Sequence, residues 1–163
     1  MTAIFAVIIA IISLIFNLVQ WMSRHRPYLA IVDLSWSTVF EESVHGYGRI
    51  PDSIKCKIRN VGEAPAKSIH LKGSVVMHSL EKTTDCYLGV LFPGQEVEVF
   101  LSINFGKDST IFDFLVSGYG SARISSLLDY RGALPIRHYK TDQGFEITQS
   151  PNAWITLHGG DYS

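Results

Sequence analysis

Cysteine is scarce in this chain, with only Cys56 and Cys86. Two cysteines cannot make a disulfide scaffold, and their spacing is not the C-x-x-C of a zinc or dithiol site. They are expected as buried thiols acting as small hydrophobes, or as a pair if their strands face each other. Charge is balanced as well as sparse. Fourteen Lys and Arg against fifteen Asp and Glu give a formal net charge of −1. No basic arm or repeated basic motif is present, so no general attraction to nucleic acid is expected. The six histidines, His25, His45, His70, His78, His138 and His158, show no H-x-x-x-H or related spacing, so no metal is expected. Asn17, Asn60, Asn104 and Asn152 all lack a hydroxyl residue two places on, which leaves no N-glycosylation acceptor.

Catalytic motifs are missing too. Gly106-Lys107-Asp108-Ser109-Thr110 lacks the earlier glycine of a phosphate loop and carries Asp108 where Ser or Thr is needed. It reads as a hairpin turn. Ser117-Gly118-Tyr119-Gly120-Ser121 has no nucleophile-elbow order. The acidic pairs Glu41–Glu42 and Glu96/Glu98 read as solvated surface. The chain is therefore not expected to be an enzyme, and neither a cofactor nor a small-molecule substrate is expected.

What is present begins with an uncharged run from Ala3 to Met22, followed at once by Arg24, His25 and Arg26. A helix of this length spans the roughly 30 Å hydrocarbon core of a bilayer. Ala3, Ala6, Ala10, Ser13, Asn17, Gln20 and Arg24 recur at alternating spacings of three and four, with Ile, Val, Leu and Phe filling nearly every place between. On a helix this gathers the small and polar residues into one stripe and turns the bulky aliphatics toward lipid. Small residues allow a second helix to approach closely, and Asn or Gln at depth gains from a hydrogen-bonding partner. The span thus reads as an anchor that packs against another integral membrane protein through Ala3, Ala6, Ala10, Ser13, Asn17 and Gln20. The alternative is a passive anchor, with Asn17 and Gln20 satisfied by headgroups and water. A cleaved signal peptide would need basic residues before the run and a small-residue site after it, and neither is there. Trp21 fits the aromatic belt, and Arg24 and Arg26 mark the membrane surface. The positive-inside rule places the N-terminus outside and the remaining chain in the cytoplasm, at a cell (inner) membrane crossed once.

The remainder reads as all-β. Ile54, Cys56 and Ile58 alternate with Lys55, Lys57 and Arg59, and Val97, Val99, Leu101 and Ile103 alternate with Glu96, Glu98, Phe100 and Ser102. Further strands are expected over Tyr28–Trp36, Lys67–His78, Asp85–Leu91, Ile111–Tyr119, Ser126–Arg131 and Gly144–Gln149. Turn chemistry separates them at Asn60–Gly62, Pro93–Gly94, Gly106–Asp108, Gly118–Gly120 and Asp142–Gly144. Seven or eight short strands at this spacing predict a two-sheet sandwich. The expected organisation is a transmembrane helix over residues 1–23, a short linker over 24–27, a β-sandwich over 28–149, and a last strand or tail over 150–163.

Ile58-Arg59-Asn60-Val61-Gly62-Glu63-Ala64-Pro65-Ala66 resembles the strand-turn-strand element of CARDB-like and related immunoglobulin-like β-sandwich modules. Leu91-Phe92-Pro93-Gly94-Gln95 before an alternating strand resembles a second such element, and Leu128-Asp129-Tyr130-Arg131-Gly132 resembles a late hairpin. The resemblance implies an immunoglobulin-like fold and a role in adhesion, spacing or docking, and no chemistry. Gly62 is expected to supply a positive φ at its turn, and Pro65 to start the next strand where no ladder donor is needed.

Three further features carry expectations. Lys55, Lys57 and Arg59 share a strand face, joined by Lys67 and Lys72 if the strands pair, that would meet anionic headgroups close to a membrane; the plainer reading is a solvated sandwich face. Only Ser23 to Pro27 separates the span from the first strand, and Pro27 stiffens that joint, so the domain should sit against the headgroups. Trp154, Ile155 and Leu157 are expected either to pack back as a last strand or to contact a partner. Together these predict a non-catalytic accessory subunit of a larger membrane complex, of respiratory, photosynthetic, transport or secretion type. The alternative is a membrane-tethered receptor or adhesin that binds with its loops.

Overall fold

A computed structural model of the chain describes residues 2–43, 46–77, 80–103, 121–132, 137–148 and 153–162. It is mostly β, in two antiparallel sheets, preceded by one apolar helix. The helix, α1, runs Thr2–Arg24. Its Ile and Val residues have only moderate helix propensity in water, but a helix alone satisfies every backbone group without water. The span Ile4–Trp21 is long and apolar enough to cross a membrane, and the rest of the chain covers none of it.

Eight strands follow: β1 (Leu29–Ser43), β2 (Gly46–Asn60), β3 (Ala66–Met77), β4 (Leu80–Leu91), β5 (Glu96–Ser102), β6 (Ser121–Arg131), β7 (His138–Thr148) and β8 (Ala153–Tyr162). One sheet has the order β1-β2-β5 and the other β4-β3-β6-β7-β8. Their inward faces share one core, to which the first sheet gives Ile54, Cys56, Ile58 and Leu101. The second gives Leu71, Val75, Ile124, Leu128, Phe145 and Ile147. The alternation legible in the sequence is what fills it, since side chains of one parity point inward.

The sheets are also tied by polar bonds at β1. This strand pairs only with β2, which leaves its other edge with unused donors. The Leu29 N–H donates to the buried Tyr130 hydroxyl at 3.4 Å, and the Ile31 N–H to Gln143 Oε1 at 2.8 Å. Tyr130 in turn bonds Thr141 Oγ1 at 3.0 Å and stacks on Tyr139.

Several local expectations are corrected. β1 and β2 form a longer hairpin than the expected Tyr28–Trp36 and Ile54–Arg59 segments. Pro51 lies within β2 beyond Ser53, where pairing with β5 ends, and beside the β1 register shift at Ser37/Thr38, the edge and bulge setting in which strands accept proline. Asp142–Gly144 is no turn: β7 runs through it, and a register shift against β8 at Gly144/Phe145 absorbs the irregularity. Residues 153–162 form β8, with Trp154 opposite Ile147 and Ile155 opposite Glu146. The strand expected at Ile111–Tyr119, the turns at Gly106–Asp108 and Gly118–Gly120, and His45 and His78 lie outside the described residues.

Candidate membrane-proximal site

The joint between helix and sheets is built around Asn60, the last residue of β2, which is fully buried. Its Oδ1 accepts the N–H groups of Tyr28 at 3.3 Å and Gly62 at 3.0 Å. Its Nδ2 donates to the carbonyls of Ala64 at 2.8 Å and Leu91 at 2.9 Å. Its own N–H donates to the Gln95 carbonyl, and its own carbonyl accepts from the Gly94 N–H. One side chain therefore uses all four of its amide hydrogen-bonding positions, which suits it to burial. Through them it fixes the linker, its own turn and the end of β4 to one another.

Gly62 presses on the same linker. A Cβ placed there would lie 2.3 Å from the Tyr28 nitrogen and 2.4 Å from the Arg26 carbonyl oxygen. The expected positive φ is not found, since among the described glycines only Gly89 and Gly94 adopt one. Gly62 is required for close backbone approach instead. Two ladder-like bonds complete the contact, from the Val61 N–H to the Tyr28 carbonyl at 2.8 Å and from the Glu63 N–H to the Arg26 carbonyl at 3.2 Å. His25 stacks on Trp21, bonds the Trp21 carbonyl through Nδ1 and faces Glu63 at 3.5 Å through Nε2. From Trp21 to Tyr28 the chain thus leaves the helix with little slack.

Four chain segments meet at this end of the domain: the linker, the 60–65 turn, the 92–95 turn and the end of β6. The 92–95 turn is closed by the Gln95 N–H to the Phe92 carbonyl, with Pro93 followed by Gly94 at φ +78°, the pattern of a type II turn. Gly132, directly after β6, faces Pro27, 3.5 Å from where its Cβ would be. Val61 and Phe92 are each about half exposed on the two turns.

The residues singled out from the sequence are distributed as follows. Ala6, Ala10, Ser13, Asn17 and Gln20 lie within about 40° of one direction around α1 at 100° per residue, and all are exposed. Trp21 is exposed and Arg26 lies on the linker; Ala3 and Arg24 are helical. Lys55, Lys57 and Arg59 are not a free basic patch. They face the β5 acids, with Lys55–Glu98 at 3.1 Å and Lys57–Glu96 and Arg59–Glu96 at 3.8 Å. Lys67 and Lys72 belong to the other sheet. Such exposed pairs contribute up to about 1 kcal/mol each, and the two carboxylates offset most of the charge of the three cations.

Missed from the sequence is a groove on the outer face of the five-stranded sheet, of about 540 Å³. Ser68, His70 and Lys72 come from β3, Tyr87 from β4, Leu127, Asp129 and Arg131 from β6, and His138 and Lys140 from β7. Recurrent basic residues in separate strands were the only signal, and the strand order needed to assemble them was not legible.

Cys56 and Cys86 are both free thiols, the first buried and the second half-buried. Burial pushes Cys56 from 9.0 up to about 12, with a smaller contribution from Cys86. Burial, then the Asp85 carboxylate, raises Cys86. The folded Cys56 thus keeps a proton that the unfolded chain releases near pH 9. Its contribution to stability is intact below that pH and declines by about 1.4 kcal/mol per unit toward pH 12. Urea midpoints of the full chain in detergent, taken from about pH 8 to 11, should fall, and the fall should be shallower in Cys56→Ala. Parallel profiles would contradict the assignment.

Among the described residues, no group of three or more His, Cys, Asp or Glu side chains is placed to hold a metal ion. Compared with known proteins, the chain matches no family model, no curated protein sequence and no solved structure.

Proposed function

We propose that the chain is a single-pass, non-catalytic accessory subunit of a larger membrane protein complex, carrying an immunoglobulin-like β-sandwich held against the bilayer surface. The joint carries this reading. A receptor or adhesin that searches for ligands gains from a long, loose stalk, whereas this linker is bonded to the domain at Arg26 and Tyr28 and packed under Gly62. A subunit that braces a neighbour at fixed height needs that lack of slack.

The helix supplies the second half of the contact. Its stripe of Ala6, Ala10, Ser13, Asn17 and Gln20 suits close approach of a partner helix. Polar contacts across it contribute about 0.6–2 kcal/mol each, so packing along the whole stripe supplies most of the affinity. Arg24 and Arg26, directly after the span, favour a β-domain on the cytoplasmic side of a cell (inner) membrane.

The test is native-size analysis of the protein extracted from its own membrane in mild detergent. Migration in a large assembly with other integral membrane subunits is expected. The double variant Ala10→Leu, Asn17→Leu should leave that assembly while the thermal midpoint of its β-domain stays unchanged. Migration as a monomer or small homo-oligomer would contradict the proposal.

A further inference from the structure

The groove on the five-stranded sheet lies at the end of the domain that meets the helix. Arg131 is the last residue of β6 and precedes Gly132, which faces Pro27 of the linker. Arg131 pairs with His138 at the start of β7 and with Lys67 near the start of β3. From Arg131 the groove rises about four residues along β6 to Leu127, roughly 13 Å at strand spacing.

Its charge is one-sided. Lys72, Arg131 and Lys140 line it with permanent positive charge, against the single carboxylate of Asp129. Asp129 has His138 Nδ1 3.8 Å away. None of the three cations forms an ion pair among the described residues, in contrast to Lys55, Lys57 and Arg59, which face Glu96 and Glu98. Asp85 stands opposite Lys72 in the β3–β4 register but does not line the groove. Tyr87 and His70, with ring centroids 5.0 Å apart, form one wall.

The backbone is irregular beside this hollow. Ser68, on its rim, has φ +51°, and the β3 register against both β4 and β6 shifts between Ala66 and His70. Gly89 on β4, opposite Ile69, is also at positive φ, +79°. A non-glycine residue in that region is unfavourable, and paired irregularities of this kind re-aim side chains beside binding sites.

We propose that this groove binds the phosphate headgroup of an anionic phospholipid in the leaflet that α1 enters. Three cations against one carboxylate leave a net positive charge that suits a phosphate, and Arg131, at the helix end of the groove, carries a guanidinium with forked donors for its oxygens. A soluble phosphate compound would use the same donors; the position of the Arg131 end beside the linker favours the membrane as the source. The inference rests on the membrane-anchored reading above.

The experiment reconstitutes the full chain in nanodiscs of phosphatidylcholine alone or with about 30 % phosphatidylglycerol, and compares lysine acetylation by mass spectrometry. Lys82, toward the opposite end of β4, is the internal control. Lys72 and Lys140 should be protected at least about fivefold by the anionic lipid relative to Lys82, and Arg131→Gln should remove most of that protection. Equal rates in both discs would overturn the proposal. Equal protection by millimolar inorganic phosphate in neutral discs would overturn the lipid assignment. Incorporation of the chain into discs is scored separately, so a failed anchor and a failed groove give different results.

Discussion

Replacing Asn60 with alanine is expected to destabilise the β-domain by about 3–5 kcal/mol, one of the largest effects of any single polar substitution in this chain. The side chain is buried and serves four backbone groups: the N–H of Tyr28 and of Gly62, and the carbonyls of Ala64 and Leu91. Each buried group left without a partner costs about 1–3 kcal/mol, and water entering the vacated space recovers part of the total. Asn60→Asp should be no rescue. It keeps acceptors toward Tyr28 and Gly62 but turns an acceptor toward the two carbonyls that now receive N–H bonds. Urea unfolding of the full chain in detergent, followed by tryptophan fluorescence, measures both. A loss below about 1 kcal/mol for Asn60→Ala would show that the network does not hold this end of the domain together.

Gly62→Ala should give the second large effect, by a different route. The added methyl would fall within 2.3 to 2.7 Å of linker backbone atoms at Arg26, Pro27 and Tyr28. Backbone cannot rotate away as a side-chain tip can, so the linker must lift and the bonds from Val61 and Glu63 must break. A loss of about 2–4 kcal/mol is expected, together with faster trypsin cleavage after Arg24 in bilayer nanodiscs. Gly94→Ala is the control. Its space is open, so only the positive φ of +78° is disturbed, at about 1–2 kcal/mol and with no change in cleavage at Arg24. Identical cleavage in Gly62→Ala and the unaltered chain would mean that the linker is not clamped there.

Periodicity made part of this molecule legible in advance. The uncharged run through Met22 became α1, and the alternation at Ile54–Arg59 and Val97–Ile103 became inward and outward faces of β2 and β5. Both signals depend only on near neighbours along the chain. The same local view misjudged Gly62, because turns with glycine usually signal left-handed backbone, while here the constraint comes from a linker more than thirty residues earlier. It also left open whether Lys55, Lys57 and Arg59 formed a basic patch. Their neutralising acids, Glu96 and Glu98, showed the matching alternation, but only the β2–β5 pairing sets them opposite. The groove was invisible for the same reason. Its basic residues come from β3, β6 and β7, and adjacency of β3 to β6 is a crossover that no local pattern encodes. Val61 and Phe92 did carry a signal: each is a large apolar residue within a turn, where polar residues prevail.

The proposed apposition of the domain to the bilayer is tested most directly at those two residues. Spin labels at Val61→Cys and Phe92→Cys, with Cys86 replaced by serine, would report collisions with lipid-soluble oxygen and with a water-soluble nickel chelate in bilayer nanodiscs. A label at Lys82→Cys, near the opposite end of the sheet, gives the aqueous reference. With the linker clamped as Asn60 and Gly62 require, both turn labels should favour oxygen, as sites at the headgroups do, while the Lys82 label favours nickel. Turn labels as open to nickel as the Lys82 label would contradict a domain held against the bilayer.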